Sequence, residues 1–130
     1  MSRETLQPPG WARPRGYANG VAATGRLVFV AGQIGWDAEQ RFASDGFAAQ
    51  VRQALANVVA VLACAGAKPE HLVRMTWYVT SRDEYNAALA EVGAAWRELI
   101  GRNFPAMSGV VVAGLLEPRA KVEIEATAVV

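Results

Sequence analysis

The stretch Lys121-Val122-Glu123-Ile124-Glu125-Ala126-Thr127-Ala128-Val129-Val130 alternates between two kinds of side chain. Successive side chains of an extended strand point to opposite faces, so Glu123 and Glu125 share one face while Ile124 and Ala126 share the other. At a rise of roughly 3.3 to 3.4 Å per residue, the two carboxylates would lie about 7 Å apart. Carboxylates beside an apolar surface are candidates for acid-base catalysis. The same pattern is typical of an antiparallel strand with one solvated face, so both interpretations remain open from this stretch alone.

Composition limits the classes of protein and partner. The 130 residues fit one domain. The formal net charge is +1, from 13 Lys and Arg against 12 Asp and Glu, which gives no reason to expect nucleic acid or an anionic membrane, although a local basic patch stays open. The single cysteine, Cys64, cannot form an intramolecular disulfide, and its apolar neighbours predict a buried thiol in a reducing compartment. No segment resembles a secretory leader or a membrane span, which predicts a cytoplasmic protein.

The N-terminal region is rich in proline and glycine, which resist regular structure. We therefore expect an irregular N-terminal arm over residues 1–16 and a single ordered domain over residues 17–130. Residues 17–22 and 26–31, separated by a turn near Gly25, predict a β-hairpin whose second strand is buried on both faces. Gly32 follows this strand, and its lack of a side chain would let another group approach closely.

Two helices are predicted from the spacing of apolar residues. The first extends from about Asp45 to Ala65, where apolar residues recur at steps of three and four. The second begins at Ser81, which with Glu84 has the spacing of a capping box, and it ends at Gly101. Between the helices, residues 73–80 alternate between apolar and polar side chains and predict a half-buried strand. The apolar stripes of the two helices consist of Phe47, Val51, Leu55, Val58 and Leu62, and of Tyr85, Leu89, Val92, Trp96 and Ile100.

The order of these elements is strand, strand, helix, strand, helix, strand, strand. It indicates an α+β fold in which two helices cover one face of a mixed sheet. The other face has no cover within the chain, although residues 28–31 and 110–113 are apolar at successive positions. Self-association would bury this face.

Four separated pieces of the sequence resemble the marks of a known family. They are Arg15-Gly16-Tyr17-Ala18-Asn19-Gly20, Ala31-Gly32-Gln33-Ile34, Asn103-Phe104-Pro105-Ala106 and Lys121-Val122-Glu123-Ile124-Glu125-Ala126. In their order and spacing the chain resembles the RidA (YjgF, L-PSP) family of reactive-intermediate deaminases over residues 14–130. The resemblance implies a chorismate-mutase-like subunit assembled as a homotrimer, with the sheets forming a central barrel and the clefts lying between neighbouring subunits.

The resemblance also implies a reaction and the residues that perform it. Founding members hydrolyse 2-imino and 2-enamino acids to 2-oxo acids and ammonia, with no metal and no cofactor. Carried over by position, Glu123 would hold and activate the attacking water, Tyr17 would be a wall and hydrogen-bonding group of the cleft, and Gly32 would allow close backbone approach. Glu125 is expected to be structural, either solvated or paired with a basic neighbour.

Three positions of the implied substrate-binding site depart from the family pattern. Met107 stands where deaminating members have an arginine that clamps the substrate carboxylate, Ala31 where they have a serine, and Gly109 where they have a cysteine. A thioether has no hydrogen-bond donor and no charge, so a hydrogen bond worth about 1.5 to 3 kcal/mol would be lost. That loss corresponds to a roughly tenfold to hundredfold weaker hold on a 2-imino carboxylate.

These departures leave several functions open. The first hypothesis is a hydrolytic deaminase of imines or enamines other than simple 2-imino acids, with Met107 as an apolar wall. Alternatively, Arg74, Arg119 or Lys121 replaces the clamping arginine. A non-catalytic trimer that binds a small metabolite or a partner protein is another hypothesis. An endoribonuclease that inhibits translation is the weakest, because the sequence shows no basic-aromatic stripe. The role of Trp36, as a lid of the cleft or as a packing anchor, is also open.

Overall fold

The structure is a computed structural model that describes residues 2–130. Met1, the first residue of the predicted arm, lies outside the described residues. The strands are β1 (Ser2–Leu6), β2 (Gly20–Thr24), β3 (Leu27–Ile34), β4 (Leu72–Val79), β5 (Ala106–Val111) and β6 (Val122–Val129). The helices are α1 (Phe47–Cys64), α2 (Arg82–Ala87) and α3 (Leu89–Leu99), with a short 3-10 helix at Pro69–His71.

Four strands form a mixed sheet in the order β3-β6-β4-β5. β6 is antiparallel to both of its neighbours, whereas β4 and β5 are parallel. The alternation predicted for β6 is confirmed, because Val122 and Ile124 are fully buried while Glu123 and Glu125 face away from the core. α1 packs across β3 and β6, and α3 packs beside α1. The predicted α+β arrangement, with helices on one face of a mixed sheet, is therefore confirmed.

α1 supplies much of the core, and by length and composition alone it would also suffice to span a membrane. Its Val51, Leu55 and Val58 side chains are fully buried within the protein. Met75 of β4 and Ile124 of β6 belong to the same core. A helix that buries one apolar face against a sheet in this way is the core helix of a folded domain.

The second helical region is interrupted, although the sequence predicts one continuous helix. α2 begins as predicted, because the Ser81 hydroxyl accepts a hydrogen bond of 3.1 Å from the backbone N–H of Glu84. The backbone N–H of Ala88 then bonds to the carbonyl of Tyr85, three residues back, and this tighter turn ends α2. The turn changes the phase of the apolar stripe. Ala88 is consequently buried, while Leu89, which the stripe predicts on the buried face, is 52% exposed.

The N-terminal residues are more ordered than predicted. Ser2–Leu6 form β1, antiparallel to β2, so the prediction of an irregular arm over residues 1–16 is wrong for these 5 residues. Proline and glycine begin only at Pro8, which leaves the preceding residues free to extend. The predicted hairpin is also wrong, because β2 pairs with β1 whereas β3 pairs with β6. Gly25, at a φ of 145°, redirects the chain between them, and the backbone of Arg26 bonds to Val130 instead.

Several apolar side chains are exposed on the sheet face opposite the helices. Leu27 and Phe29 of β3 are 58% and 72% exposed, and Val110 of β5 is 46% exposed. The prediction that β3 is buried on both faces is therefore wrong within a single protomer, whose sheet has one open apolar face. Cys64 is also exposed and not buried as predicted, because it lies at the last position of α1 on the side away from the apolar stripe.

Candidate active site

Glu123 lies on β6 between β3 and β4, opposite Ile34 on one side and Tyr78 on the other. Its side chain is half-buried, on the sheet face away from the helices. A Cβ atom built on Gly32 would stand 2.7 Å from Cδ and 2.8 Å from Cγ of Glu123, closer than van der Waals contact allows. A close approach at Gly32 is thus present, and the group that approaches is the Glu123 side chain itself.

Ala31 and Gly32 interrupt the pairing of β3 with β6. The register shifts between Val30 and Gln33, an irregularity of the β-bulge type. Bulges bend a strand and redirect its side chains, and they are frequent next to active sites. Ala31 and Gly32 are both exposed, so this part of β3 is open to solvent in a single protomer.

Glu125, the second carboxylate of this face, is hydrogen-bonded. The Tyr78 hydroxyl donates a hydrogen bond of 2.6 Å to Oε1 of Glu125. This hydrogen bond, together with desolvation and the negative charge of Glu125, raises the pKa of Tyr78 above its ordinary value of 10.0. Glu125 is exposed, in agreement with one of the two alternatives expected for it, and its hydrogen-bond partner is a tyrosine and not a basic residue. Glu123, by contrast, has no hydrogen-bond or ion-pair partner among residues 2–130.

A second group of predicted site residues lies at the other edge of the sheet. Met107 and Gly109 lie on β5 opposite buried residues of β4, and Met107 packs against the core. Tyr17 reaches the same place because the backbone N–H of Ala18 donates a hydrogen bond of 3.0 Å to the carbonyl of Pro105, just before β5. Tyr17, Met107 and Gly109 line one open cleft of about 1300 Å³.

The predicted site residues thus fall into two separate groups. The base half-site, on β3 and β6, consists of Ala31, Gly32 and Glu123. The cleft half-site, on β5 and the segment before β2, consists of Tyr17, Met107 and Gly109. β4 lies between β6 and β5, so at about 4.8 Å per strand the half-sites are roughly 10 Å apart across the sheet. They also face opposite sides of the sheet, so one protomer does not bring them together.

Gln50 of α1 is a positioning residue that the sequence did not reveal. Only 1% of it is exposed, yet all of its polar atoms are bonded. Its Nε2 donates to the carbonyls of Ser44 and Arg119 at 3.2 and 3.1 Å, and its Oε1 accepts a hydrogen bond of 2.8 Å from the backbone N–H of Lys121. The side chain therefore fixes the segment that enters β6, two residues before Glu123. A polar residue at the buried phase of an apolar helix was the signal that could have identified it.

The charged residues considered as substitutes for the clamping arginine have different surroundings. Arg119 donates two hydrogen bonds to Asp45, at 3.1 and 2.8 Å. Lys121 forms an ion pair of 3.3 Å with Glu84. Arg74 has no such partner among residues 2–130 and is exposed. In the described part of the chain, no three His, Cys, Asp or Glu side chains are grouped as a metal ion would require.

Trp36 lies in the loop that follows β3. Its ring centroid is 5.9 Å from that of Phe42, and the two residues form a backbone bridge. The carbonyl of Trp36 also accepts a hydrogen bond of 2.8 Å from Nδ2 of Asn57 on α1. These contacts hold the loop against α1 and make Trp36 a packing anchor.

Comparisons with known proteins agree in both sequence and structure. The family described as endoribonuclease L-PSP matches residues 11–130. Human 2-iminobutanoate/2-iminopropanoate deaminase is 30% identical over 126 residues, which cover 96% of this chain and 86% of that protein. The Salmonella typhimurium protein of the same name is 36% identical over 113 residues, 87% of this chain and 86% of that protein. The crystal structure of YyfB from Yersinia pestis, a protein of unknown function of the Rid family, superposes with a TM-score of 0.86 at 34% identity and covers 100% of both chains. YjgF from E. coli superposes with a TM-score of 0.68 at 34% identity over 87% of each chain.

Proposed function

The chain belongs to the endoribonuclease L-PSP family, and from that premise we propose that it is a cofactor-independent hydrolytic deaminase of imines or enamines. Relatives at 30% and 36% identity are named 2-iminobutanoate/2-iminopropanoate deaminase. The observation that carries the proposal is the Glu123 carboxylate, which has no hydrogen-bond or ion-pair partner among residues 2–130 and lies directly over Gly32. A carboxylate held against the backbone in this way is suited to act as a general base on a water molecule.

In the proposed reaction the imine is protonated on nitrogen, and Glu123 accepts a proton from water as the water oxygen bonds to the carbon of this iminium ion. The electron pair of the carbon–nitrogen π bond moves to nitrogen, which gives a neutral amino alcohol. The protonated Glu123 then delivers its proton to that nitrogen. As the carbon–nitrogen bond breaks, the Glu123 carboxylate takes the hydroxyl proton and the electron pair of the O–H bond forms the carbonyl. Glu123 passes this proton to the released ammonia, so an iminium ion and water give a carbonyl compound and ammonium, and atoms and charge balance. An enamine enters the same sequence after it takes up a proton at carbon and becomes the iminium ion.

The two half-sites favour a site shared between subunits. β3 and β5 are the two edges of the sheet, so an edge-to-edge contact between copies would place the base half-site of one protomer beside the cleft half-site of the next. A contact between two different surfaces closes into a ring when its rotation allows. We propose the homotrimer that the family resemblance implies, because it would also cover exposed apolar residues such as Phe29 and Val110.

The proposed substrate differs from simple 2-imino acids at the group bound by Met107. This side chain packs against the core and lines the cleft, where it offers neither charge nor donor to a carboxylate. Simple 2-imino acids should therefore be poor substrates compared with imines or enamines that do not require a cation at that position.

The decisive experiment is turnover of freshly generated imines and enamines, with and without an α-carboxylate, by the wild type and by Glu123→Gln. Removal of the base should reduce kcat by roughly 10²- to 10⁴-fold, the range typical of general acid–base catalysis. Glu125→Gln is the matched control, because it makes the same change on the same strand face at a carboxylate bonded to Tyr78. Retained turnover in Glu123→Gln would contradict the proposed mechanism. A wild-type protein that binds such compounds tightly but hydrolyses none would instead be a metabolite-binding trimer.

A further inference from the structure

Most of the arginines that have no partner among the described residues line one cleft, the cleft that is also lined by Tyr17, Met107 and Gly109. Those with no hydrogen-bond or ion-pair partner among residues 2–130 are Arg13, Arg15, Arg74, Arg82, Arg97 and Arg102. All of them except Arg74 line this one cleft. Arg13, Arg15 and Arg102 also line the groove that adjoins it. Of the described residues, no Asp or Glu lines either space. A chain with a net charge of +1 thus carries a concentrated positive charge at one place.

The wall of the same cleft holds buried donors without acceptors. Trp77 and Trp96 are 5% and 7% exposed, both line the cleft, and neither indole N–H has a partner. Phe104 stacks on Trp96 at 6.3 Å between ring centroids. Unpaired buried N–H groups are rare in folded proteins. The cleft therefore combines an aromatic wall with a cationic rim.

The residue type identifies the chemistry of the ligand. The guanidinium group presents several donors in one plane and pairs with carboxylate or phosphate through two parallel hydrogen bonds. Guanidinium groups that line one cleft repel one another, and a bound anion offsets that repulsion. These arginines line the same cleft as Met107 but occupy other positions of the chain, so the charge they supply comes from other residues than the missing clamp.

We propose that this arginine cleft binds a second anionic group of the substrate, a carboxylate or a phosphate distant from the carbon that water attacks. The inference rests on the proposed deaminase function and specifies its substrate class as an imine or enamine with a distal oxyanion. A small ligand is favoured over single-stranded RNA, which is bound along an extended basic track. Here the unpaired arginines are confined to one cleft and the adjoining groove, with Arg74 as the exception.

Binding of unreactive 2-oxo products tests the proposal without requiring turnover. The probes are 2-oxoglutarate, with two carboxylates, 2-oxopentanoate, of the same chain length with one, and 3-phosphonooxypyruvate, with a distal phosphate. Calorimetric titration should show roughly tenfold to hundredfold tighter binding of a dianionic probe than of 2-oxopentanoate. The preference should decrease as ionic strength rises. Comparison of 2-oxoglutarate with 3-phosphonooxypyruvate shows whether carboxylate or phosphate is preferred.

Variants assign the preference to the cleft. Arg15→Gln combined with Arg102→Gln should weaken binding of the preferred dianion by roughly tenfold to hundredfold. Binding of 2-oxopentanoate should change by less than about twofold, since exposed charges not in contact contribute little. Arg41→Gln is the matched control, because its side chain is 77% exposed and pairs with Glu39 away from the cleft. The single variants Arg13→Gln and Arg97→Gln, each at an exposed position, test the same point if the double variant does not fold.

Equal affinity for dianionic and monoanionic probes would overturn the proposal, as would a preference that the arginine variants leave unchanged. Binding of a uridylate dodecamer that the same variants abolish, without binding of either dianion, would overturn it in favour of RNA. Titration of Glu123→Gln with the same probes separates the inference from the proposed function, because this variant lacks the proposed base and retains the arginines. If Glu123→Gln and the wild type both prefer the dianions while the wild type hydrolyses no imine, the cleft assignment stands and the proposed reaction fails. If a monoanionic imine is hydrolysed and no dianion preference exists, the cleft assignment alone fails.

Discussion

Glu123 of the base half-site lies on β6, a strand that is paired on both sides, whereas the cleft half-site lies on an edge strand and on a segment that precedes β2. In the base half-site a single carboxylate is held against backbone at Gly32, and no room remains for a side chain between them. The cleft half-site borders a wide and open cleft, and the charged groups that line this cleft are exposed arginines. In the proposed function, the chemical step would therefore lie on a strand held by neighbours on both sides, and substrate choice at an open edge of the sheet.

After the loss of the Glu123 carboxylate itself, the largest effect should follow from breaking the close approach between Gly32 and Glu123. In Gly32→Ala the new Cβ would overlap the Glu123 carboxyl group, which must move away. A displacement of about 1 Å can reduce the rate on the order of a hundredfold. The measurement is kcat/KM for the best imine or enamine substrate.

Gly114→Ala provides the control for this substitution. A Cβ at Gly114 meets no atom within 4 Å, so the same chemical change should leave turnover and thermal stability near the wild-type values. Full activity in Gly32→Ala would show that Glu123 acts from more than one position. The contrast between a rigid base half-site and an open cleft half-site would then be incorrect.

A smaller effect should follow from restoring a cation to the cleft half-site. Met107→Arg should raise the preference for 2-iminobutanoate over an imine without a carboxylate by roughly tenfold to hundredfold, since a hydrogen bond to a charged group is gained. Competition between the two substrates gives the ratio of kcat/KM directly. Met107→Leu changes shape without adding charge and should leave the preference unchanged. An arginine variant with the same preference as the leucine variant would show that this position does not contact the substrate carboxylate.

The same contrast explains what the sequence could and could not predict. The alternation around Ile124 and the helical stripe through Leu55 report local geometry, so β6, α1 and the helix-covered sheet follow from them. The pairing of β1 with β2 joins segments that no local pattern relates, and the break at Ala88 depends on a single backbone turn. Glu123 was identified as a candidate from its strand pattern and from the family resemblance.

The arginine cleft was beyond the reach of sequence analysis for a related reason. Its basic residues extend from Arg13 to Arg102 and never form a run, so charge counting gave a nearly neutral chain. The packing of the segment before β2 against the start of β5 brings them together. The role of Gln50 could not be predicted for a similar reason. Two of its hydrogen-bond partners, the carbonyl of Arg119 and the backbone N–H of Lys121, are distant from it in sequence.

The smallest expected effect is a change in the pKa of Tyr78, and it sharpens the distinction between the two carboxylates of β6, Glu123 and Glu125. The hydrogen bond from Tyr78 to Glu125, with desolvation and the charge of Glu125, raises the pKa of Tyr78 above 10.0. The native state therefore holds this proton more tightly than the unfolded chain does. It follows that the contribution to the free energy of unfolding is complete below pH 10.0 and is lost as the pH rises through the native pKa of Tyr78.

Glu125→Gln removes the charge and weakens the hydrogen bond, so the pKa of Tyr78 should fall toward its ordinary value. Tyrosinate absorbance during an alkaline titration measures this change, and Tyr78→Phe identifies the contribution of Tyr78 among the 3 tyrosines of the chain. An unchanged titration in Glu125→Gln would mean that the bond is absent in solution. Glu125 would then lack a hydrogen-bond partner as Glu123 does, and the assignment of a single base on this strand would no longer follow from the geometry.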